Sequence, residues 1–134
     1  YAILESTLRT YLTTTEVQKE NLSMTLFTRS QAKLLTIGKK IVKKLPPRII
    51  DKFGIEVKQT EVEAGSGSMP LEKFPSAALV FNGEMKASDL SRKFRFARHP
   101  VLGYITGNRY HIDLKAIPAT QEKQLLSSLN SVLQ

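Results

Sequence analysis

Apolar residues recur at the spacing of an α-helix in four stretches of the chain. These stretches are residues 2–12, 31–45, 88–97 and a last segment that starts at Thr120. In residues 31–45 the apolar positions form one stripe and lysines fill the opposite arc, which is typical of an amphipathic surface helix. Residues 16–24 are polar and show no such period, so we expect them to cross the surface without regular structure.

Residues at the ends of these stretches indicate where the helices begin and end. Ser30, Ser88 and Thr120 each stand at the start of a helical stretch, where a hydroxyl accepts a hydrogen bond from a free first-turn amide. We therefore predict these three residues as N-caps. Pro46 and Pro47 follow the second stretch, and we expect them to end it, because proline donates no hydrogen bond to the helical ladder.

Four further segments have the length and composition of β-strands. Residues 55–63 alternate partly and contain β-branched residues, which predicts an edge strand. The apolar run 76–81 predicts a more buried strand. Residues 101–105 and 109–115 flank Gly107-Asn108, a pair that tolerates the positive φ of a tight hairpin turn.

The element order is therefore α, α, β, β, α, β, β, α, without a visible repeat. It predicts an α+β fold, in which helices pack on one face of a small, mostly antiparallel sheet. The length of 134 residues suits a single domain with its own core. Within it we expect residues 1–29 to be a connecting helix and linker, and residues 30–134 to be the compact α+β unit.

The composition excludes several kinds of site. The chain has no cysteine, so it has no disulfide, thiol nucleophile or cysteine-ligated metal. Its two histidines lack a local ligand spacing, and we expect no metal site. No apolar run reaches the roughly 20 residues that span a bilayer, so we expect no membrane segment. Serines are frequent, but none lies in a nucleophile elbow.

The net charge of +8 is unevenly distributed along the chain. Residues 29–52 hold eight basic residues and one acid, residues 92–109 hold five basic residues and no acid, and residues 53–91 are net negative. Such clusters are typical of proteins that bind a polyanion, although solvated helix faces also account for them. Four aromatic residues near the second cluster either stack on exposed bases or pack in the core: Phe94, Phe96, Tyr104 and Tyr110.

Two other features have the residue types of a binding or catalytic site. The Gly-Ser-Gly-Ser loop at residues 65–68 is able to cradle a phosphate, but it lacks the lysine of a P-loop, and an ordinary loop fits it equally. On the second hairpin strand, His111, Asp113 and Lys115 share the polar face. A His111–Asp113 pair has the groups for base chemistry, although an exposed surface pair is the commoner arrangement. The residues alone thus indicate a basic domain without a complete active site.

Five segments carry a resemblance to a known family. They are Thr7-Leu8-Arg9-Thr10-Tyr11-Leu12, Thr28-Arg29-Ser30, Gly65-Ser66-Gly67-Ser68-Met69-Pro70 with Glu72, Pro75 and Ser76, Arg98-His99-Pro100-Val101-Leu102-Gly103-Tyr104-Ile105, and Ile112-Asp113-Leu114. In this order and spacing they resemble the C-terminal part of the bacterial L-seryl-tRNA(Sec) selenium transferases, or selenocysteine synthases. The chain departs from the family pattern at Ser66 and Leu71, where glycine is usual, and at Tyr104, where a basic residue is common.

The resemblance implies a pyridoxal 5′-phosphate (PLP) enzyme of the aspartate-aminotransferase fold type. Such an enzyme converts seryl-tRNA(Sec) to selenocysteinyl-tRNA(Sec) with selenophosphate, and this chain resembles its small C-terminal domain. The start at Tyr1 without a methionine agrees with a piece of a longer protein, and none of the thirteen lysines matches the motif of the cofactor lysine. We therefore expect PLP and the catalytic residues to lie outside this chain, which alone is inactive. The family also implies a cytoplasmic protein that self-associates as a ring of dimers.

The same resemblance implies that loop 65–70 and segment 98–104 face the mouth of the active site, near the acceptor end of the tRNA. The reacting amino acid is esterified to tRNA and has no free carboxylate, so Arg98 is available for a phosphate. The candidate contacts are Arg98, Ser66, Ser68, Arg95, Arg109, Lys40 and Lys44. Two alternatives stay open: a stand-alone RNA-binding or assembly module, and the small domain of another PLP enzyme of this fold type that acts on a free amino acid or a sugar amine.

Overall fold

A computed structural model of the chain describes residues 1–13, 15–63 and 73–134. The α-helices are α1 (Ala2–Thr13), α2 (Val17–Glu20), α3 (Leu22–Phe27), α4 (Gln31–Lys43), α5 (Pro47–Phe53), α6 (Ala87–Arg95) and α7 (Glu122–Val132), with a 3₁₀ turn at Ala119–Gln121. The strands are β1 (Ile55–Glu63), β2 (Lys73–Phe81), β3 (Tyr104–Thr106) and β4 (Arg109–Asp113). Within these ranges no helix is long and apolar enough to cross a membrane.

The strands form one antiparallel sheet in the order β1-β2-β4-β3. In the register, Phe81 of β2 lies between Ile55 of β1 and Tyr110 of β4. The neighbouring residue of β4, His111, pairs with Tyr104 of β3. β1 and β3 are the edges, so the prediction of an edge strand at the first β position is confirmed. The helices and the antiparallel sheet together confirm the predicted α+β fold.

Helices α4 to α7 contribute to one core on one face of the sheet. Because side chains alternate along a strand, this face presents Leu79, Phe81 and Ile112 to the helices. The Phe94 ring of α6 lies 5.7 Å from the Phe81 ring and 5.5 Å from the Tyr110 ring, measured between centroids. Phe94 and Tyr110 therefore pack in the core, whereas the other two aromatic residues of this group, Phe96 and Tyr104, are exposed.

Helix α4 packs on β1 and β2 at very close range. The Ser30 hydroxyl accepts a hydrogen bond from the Lys33 amide at 3.4 Å, which confirms the predicted N-cap. On the buried side, a Cβ added to Gly38 would lie 2.6 Å from Val57 Cγ1 and 2.9 Å from Leu114 Cδ1. The absence of a side chain at Gly38 thus lets the helix backbone touch the side chains of the sheet.

The two prolines separate two helices instead of leading into a strand. Helix α4 ends before them, as predicted, and Pro47 becomes the first residue of α5, where no intrahelical donor is needed. Helix α5 then ends at Gly54, whose φ of 56° lies in the left-handed region. The sequence analysis missed α5, because its seven residues are too few to show a helical period.

The expectation of an irregular crossing at residues 16–24 is wrong, since α2 and the first half of α3 lie there. The Asn21 side chain accepts a hydrogen bond from the Met24 amide at 3.2 Å and caps α3. At the end of α3, the Phe27 ring packs on the Phe74 ring of β2, with centroids 5.5 Å apart. A side-chain cap and a long-range aromatic contact thus accompany this short helix, and neither produces a helical period in the sequence.

Two of the predicted N-caps are wrong. Helix α6 begins at Ala87, so Ser88 lies inside its first turn, and Lys86 is the N-cap residue without a side-chain hydrogen bond. Thr120 lies in the 3₁₀ turn, and α7 begins only after Gln121. In both places the residue at the N-cap position is not the one that carries the hydroxyl.

The β3–β4 hairpin turns at the predicted pair. Gly107 and Asn108 have φ values of 54° and 59°, as two-residue hairpin turns require. Its strands are shorter than predicted, because the Val101 amide donates to the Phe94 carbonyl at 3.0 Å and ties that part of the chain to α6. Strand β2, in contrast, starts three residues before its predicted beginning.

Replacement of Gly38 by alanine tests the close approach of α4 to the sheet. Alanine favours a helix over glycine by about 1 kcal/mol. We nevertheless expect Gly38→Ala to lower the free energy of unfolding by about 1–3 kcal/mol, because the new Cβ overlaps Val57 and forces the helix outward. Denaturant unfolding followed by circular dichroism measures the change, with Thr36→Ala on the exposed side of α4 as the control. A Gly38→Ala protein as stable as the wild type would contradict the close contact.

Candidate functional site

Four of the predicted contact residues lie on the side of the sheet that carries the helices. Arg95 is the last residue of α6, and Arg98 lies in the bend that follows it. Lys40 lies on α4, and Lys44 is the C-cap residue of that helix. Helix α4 packs on β1 and β2, and α6 packs on β4 and β3. All four side chains are exposed, so they are accessible from the helical side of the domain.

Arg109 lies on the opposite side of the sheet, which we call the open face. It is the first residue of β4, and the alternation of the strand groups it with His111, away from the buried Tyr110. On this face, a hydrogen bond and ion pair with Lys58 lower the pKa of Glu56, and the charge of Arg109 lowers it further. The sheet therefore separates Arg109 from the arginines of α6, although all are close in sequence.

The predicted contacts Ser66 and Ser68 lie outside the described residues. Strands β1 and β2, which precede and follow their loop, pair with each other as far as Glu63 and Lys73. Glu63 and Lys73, the described residues on either side of the segment, thus lie opposite each other at one end of the sheet. The interpretation of this loop as a phosphate cradle stays a prediction.

The segment that carries Arg98 is held by buried contacts. The Ser128 hydroxyl of α7 donates a hydrogen bond to the His99 carbonyl at 2.6 Å. Two residues on, the Tyr110 hydroxyl donates to the Val101 carbonyl at 3.4 Å. A cavity of about 240 Å³ beside the segment is lined by His99, Pro100, Val101, Leu102, Ile117 and Leu125. Arg98 therefore extends into solvent from a backbone that the core positions.

Burial raises the pKa of Tyr110 to about 12, so its hydroxyl keeps its proton at neutral pH. The ring is fully buried between the sheet and α6. Tyr110 therefore serves as a buried hydrogen-bond donor to the Val101 carbonyl.

His111 lies on the open face but is only 9% exposed. The Tyr104 ring stacks on its imidazole, with centroids 5.1 Å apart. Its Nδ1 atom is buried and has no hydrogen-bond partner among the described residues. Burial lowers the pKa of His111, and the charges of Arg109 and Lys58 lower it further. The imidazole is therefore neutral near pH 7.

The predicted His111–Asp113 pair does not form. The Asp113 carboxylate accepts hydrogen bonds from Ser76 Oγ at 2.8 Å, from Thr60 Oγ1 at 3.3 Å and from the Lys115 amide at 2.9 Å. These bonds connect β1, β2 and the end of β4, so the carboxylate does not orient a catalytic imidazole. The interpretation of the two residues as an exposed surface pair is also wrong, because the imidazole is buried.

Lys115, predicted on a polar strand face, is 5% exposed and lies just beyond β4. Its ammonium group donates to the carbonyls of Phe27 at 3.3 Å and of Arg29 at 2.9 Å. In return, the Arg29 guanidinium donates to the carbonyls of Ile117 at 2.6 Å and of Leu114 at 3.4 Å. Two cations thus attach the segment before α4 to the segment after β4. No local pattern indicates this pairing, because the partners are 85 to 88 residues apart.

The lysines, all of which lie in the described ranges, do not fit the role of a PLP-binding residue. Twelve of the thirteen lysines are exposed, and the buried one, Lys115, is held by two backbone carbonyls. An ammonium group bound in this way is not free to form an imine. The described ranges also contain no group of three or more histidine, aspartate or glutamate residues that would hold a metal ion.

The fold and the exposed cations define a basic α+β domain whose described residues hold neither a cofactor lysine nor a metal cluster. The family model for L-seryl-tRNA selenium transferase (SelA) matches residues 1–118, and the chain belongs to this family. The L-seryl-tRNA(Sec) selenium transferase of Shewanella oneidensis is 35% identical over 133 residues, which are 98% of this chain and 28% of that protein. The enzyme of the same name from Salmonella typhimurium is 32% identical over 120 residues, or 87% of this chain and 26% of the relative. The chain thus spans about a quarter of the length of these relatives.

The pH dependence of stability tests the buried state of His111. Its pKa in the folded chain lies below the ordinary 6.5, so the unfolded chain binds the proton more readily. We therefore expect the free energy of unfolding to decrease as the pH falls from about 7.5 to 5, and to decrease less in His111→Gln. Denaturant unfolding at both pH values measures the difference. An equal decrease in both proteins would show that His111 does not contribute.

Proposed function

We propose that this chain is the C-terminal domain of an enzyme that converts seryl-tRNA(Sec) to selenocysteinyl-tRNA(Sec), with PLP as cofactor and selenophosphate as selenium donor. The observation that carries this proposal is the family match over residues 1–118, together with relatives that align to nearly the whole chain. Since the chain spans about a quarter of those relatives, the activity belongs to the complete protein. By itself the chain is then inactive.

The proposal assigns the PLP-binding lysine to the part of the complete protein outside this chain. The surroundings of the lysines support this assignment. Twelve of them are exposed, and the Lys115 ammonium group donates hydrogen bonds to two backbone carbonyls. What remains for this domain is to bind and orient the tRNA substrate. Its exposed arginines and lysines suit that task, since RNA is a polyanion.

Arg98 is the proposed contact with a tRNA phosphate at the mouth of the active site. Its guanidinium is exposed, and the backbone beneath it is held by the Ser128–His99 hydrogen bond. The guanidinium group holds its N–H donors in a rigid planar arrangement that matches the oxygens of a phosphate. Little conformational entropy is therefore lost on binding. Because the reacting serine is esterified, no free carboxylate competes for this arginine. Arg95, three residues earlier on α6, supports the same contact.

The other proposed contacts lie farther from this point. Lys40 and Lys44 extend the contact along α4, on the helical side of the sheet. Arg109 would reach RNA only from the open face, and Ser66 and Ser68 from the loop at the end of β1 and β2. We include all five in the proposal as residues that face different parts of the substrate.

Self-association and a cytoplasmic location complete the proposal. Helix α1 has no buried residue, and its apolar side chains Leu4, Leu8 and Leu12 are exposed at a spacing of four. A stripe of this kind supports packing against another part of the complete protein or another subunit, as a ring of dimers requires. Aminoacyl-tRNA substrates are used in the cytoplasm, which supports the location.

An Arg98→Ala variant of the complete enzyme tests the proposed phosphate contact. Loss of a hydrogen bond between charged groups costs about 1.5–3 kcal/mol, so we expect kcat/KM for seryl-tRNA(Sec) to fall roughly 10- to 100-fold. Arg98→Lys should recover only part of the loss, because lysine lacks the planar fork. The measurement is selenocysteinyl-tRNA(Sec) formation over a range of tRNA concentrations.

Lys123→Ala is the matched control, since it removes one exposed positive charge from α7. We expect its kcat/KM to stay within about twofold of the wild type. Unchanged tRNA affinity and turnover in Arg98→Ala would contradict the role of Arg98. Absence of any transferase activity in the unaltered complete protein would contradict the proposed function itself.

A further inference from the structure

The positive charge of this chain is concentrated in one layer of the fold. Residues 31–53 and 86–98, which contain α4, α5 and α6, hold twelve of the twenty basic residues and two of the twelve acidic residues. These two segments therefore carry a formal charge of +10, and the rest of the chain carries −2. The excess charge of the protein thus belongs to these helices and not to the sheet or the chain ends.

These twelve cations are also unpaired among the described residues. All twelve are exposed, and none forms an ion pair with a described acid. The ion pairs that do form lie in the first twenty residues and on β1 and β2: Arg9–Glu5, Lys19–Glu16, Lys58–Glu56 and Lys73–Glu61. The lysines of β1 and β2 are thus paired with acids, whereas the cations of the helical layer stay available to a partner.

The geometry of α4 arranges its lysines in rows. Lys33, Lys40 and Lys44 follow one line along the helix, because positions i, i+7 and i+11 lie close in angle at 3.6 residues per turn. From first to last they span about 16 Å of the helix axis at 1.5 Å per residue. Lys39 and Lys43 form a second row, opposite the buried Leu34 and Ile41. Such rows match a partner whose negative charges are arranged in a line.

Stabilisation of helix ends accounts for only part of this pattern. Cations in a last turn interact favourably with the helix dipole, and α4, α5 and α6 all carry them there. The same effect favours acids in a first turn, yet α4 and α5 have none there. The depletion of acids therefore indicates a requirement beyond the stability of the individual helices.

The chemistry of this surface favours RNA over a lipid headgroup layer. A helix that binds a membrane surface presents large apolar side chains beside its cations. Among the described residues of α4 and α5, no large apolar side chain is exposed, and Phe96 beside α6 is the nearest exception. Cations separated by small and polar side chains are typical of a surface that follows phosphates.

We infer that the outer face of α4, α5 and α6 is a phosphate-binding surface that follows the RNA backbone without reading bases. It includes the proposed contacts at Arg98, Lys40 and Lys44 and extends them across the whole helical layer. The inference rests on the proposed function only for the identity of the RNA as a tRNA. It excludes the open face, where the cations are fewer and Lys58 is paired.

The test compares two double variants of this chain that change the net charge equally. Lys40→Gln/Lys44→Gln removes two cations from the helical layer, and Lys58→Gln/Lys73→Gln removes two from β1 and β2. Binding of an unacylated tRNA(Sec) transcript is measured by fluorescence anisotropy between about 50 and 200 mM salt. Circular dichroism checks that both variants stay folded, since all four side chains are exposed.

We expect salt-dependent binding by the unaltered chain. The slope of log Kd against log salt should fall by about two in the helical variant, since each lost phosphate contact removes roughly 0.9. Its affinity at about 50 mM salt should fall several-fold, and the sheet variant should stay within about twofold of the unaltered chain. An unrelated tRNA transcript should give the same pattern, because a backbone surface reads no sequence.

Three outcomes would overturn the inference. Equal losses in both variants would show that only total charge matters, and a larger loss in the sheet variant would move the contact to β1 and β2. Absence of binding even at low salt would show that the helical layer is no RNA surface. None of these affects the proposed function, which selenocysteinyl-tRNA(Sec) formation by the complete enzyme tests separately.

Discussion

The contact between α4 and the sheet at Gly38 determines the arrangement of the rest of the domain. A Cβ at this position would overlap Val57 of β1 and touch Leu114 beyond β4, so the helix backbone lies directly on the sheet. Leu34 and Ile41, on the same side of the helix, then enter the core. The opposite arc of α4 is exposed in the part of the chain that the structure describes. The location of the lysines is therefore a consequence of how the core packs.

Polar contacts connect the strands on the open face. Asp113 joins three strands through Ser76, Thr60 and the amide of Lys115. The Lys115 ammonium group and Arg29 then tie the segment before α4 to the end of β4. Removal of any member leaves buried polar groups without partners, which is costly in a region of low dielectric. These residues therefore keep the start of α4 in place over the sheet.

Local signals predicted most elements of this fold, and long-range contacts explain part of the errors. The Ser30 hydroxyl, the Gly107-Asn108 pair and the apolar stripe of α4 act within a few residues, so each could be recognised in the sequence. Helix α3 packs through Phe27 on a strand that comes much later in the chain, and it was missed. The same reason explains why Lys115 was placed on a polar face, since its carbonyl partners precede α4.

The sequence indicates which residues are candidates for the site, but it does not indicate which of them share a surface. The sequence places Arg109 next to the arginines of α6, and only the sheet shows that it lies on the opposite face. An RNA that contacts both Arg98 and Arg109 must therefore pass around β3, the short edge strand between them. A contact confined to α4, α5 and α6 needs no such path, because these helices share one side of the sheet. The partition of charge and the topology thus both support the proposal that the helical layer is the side that binds RNA.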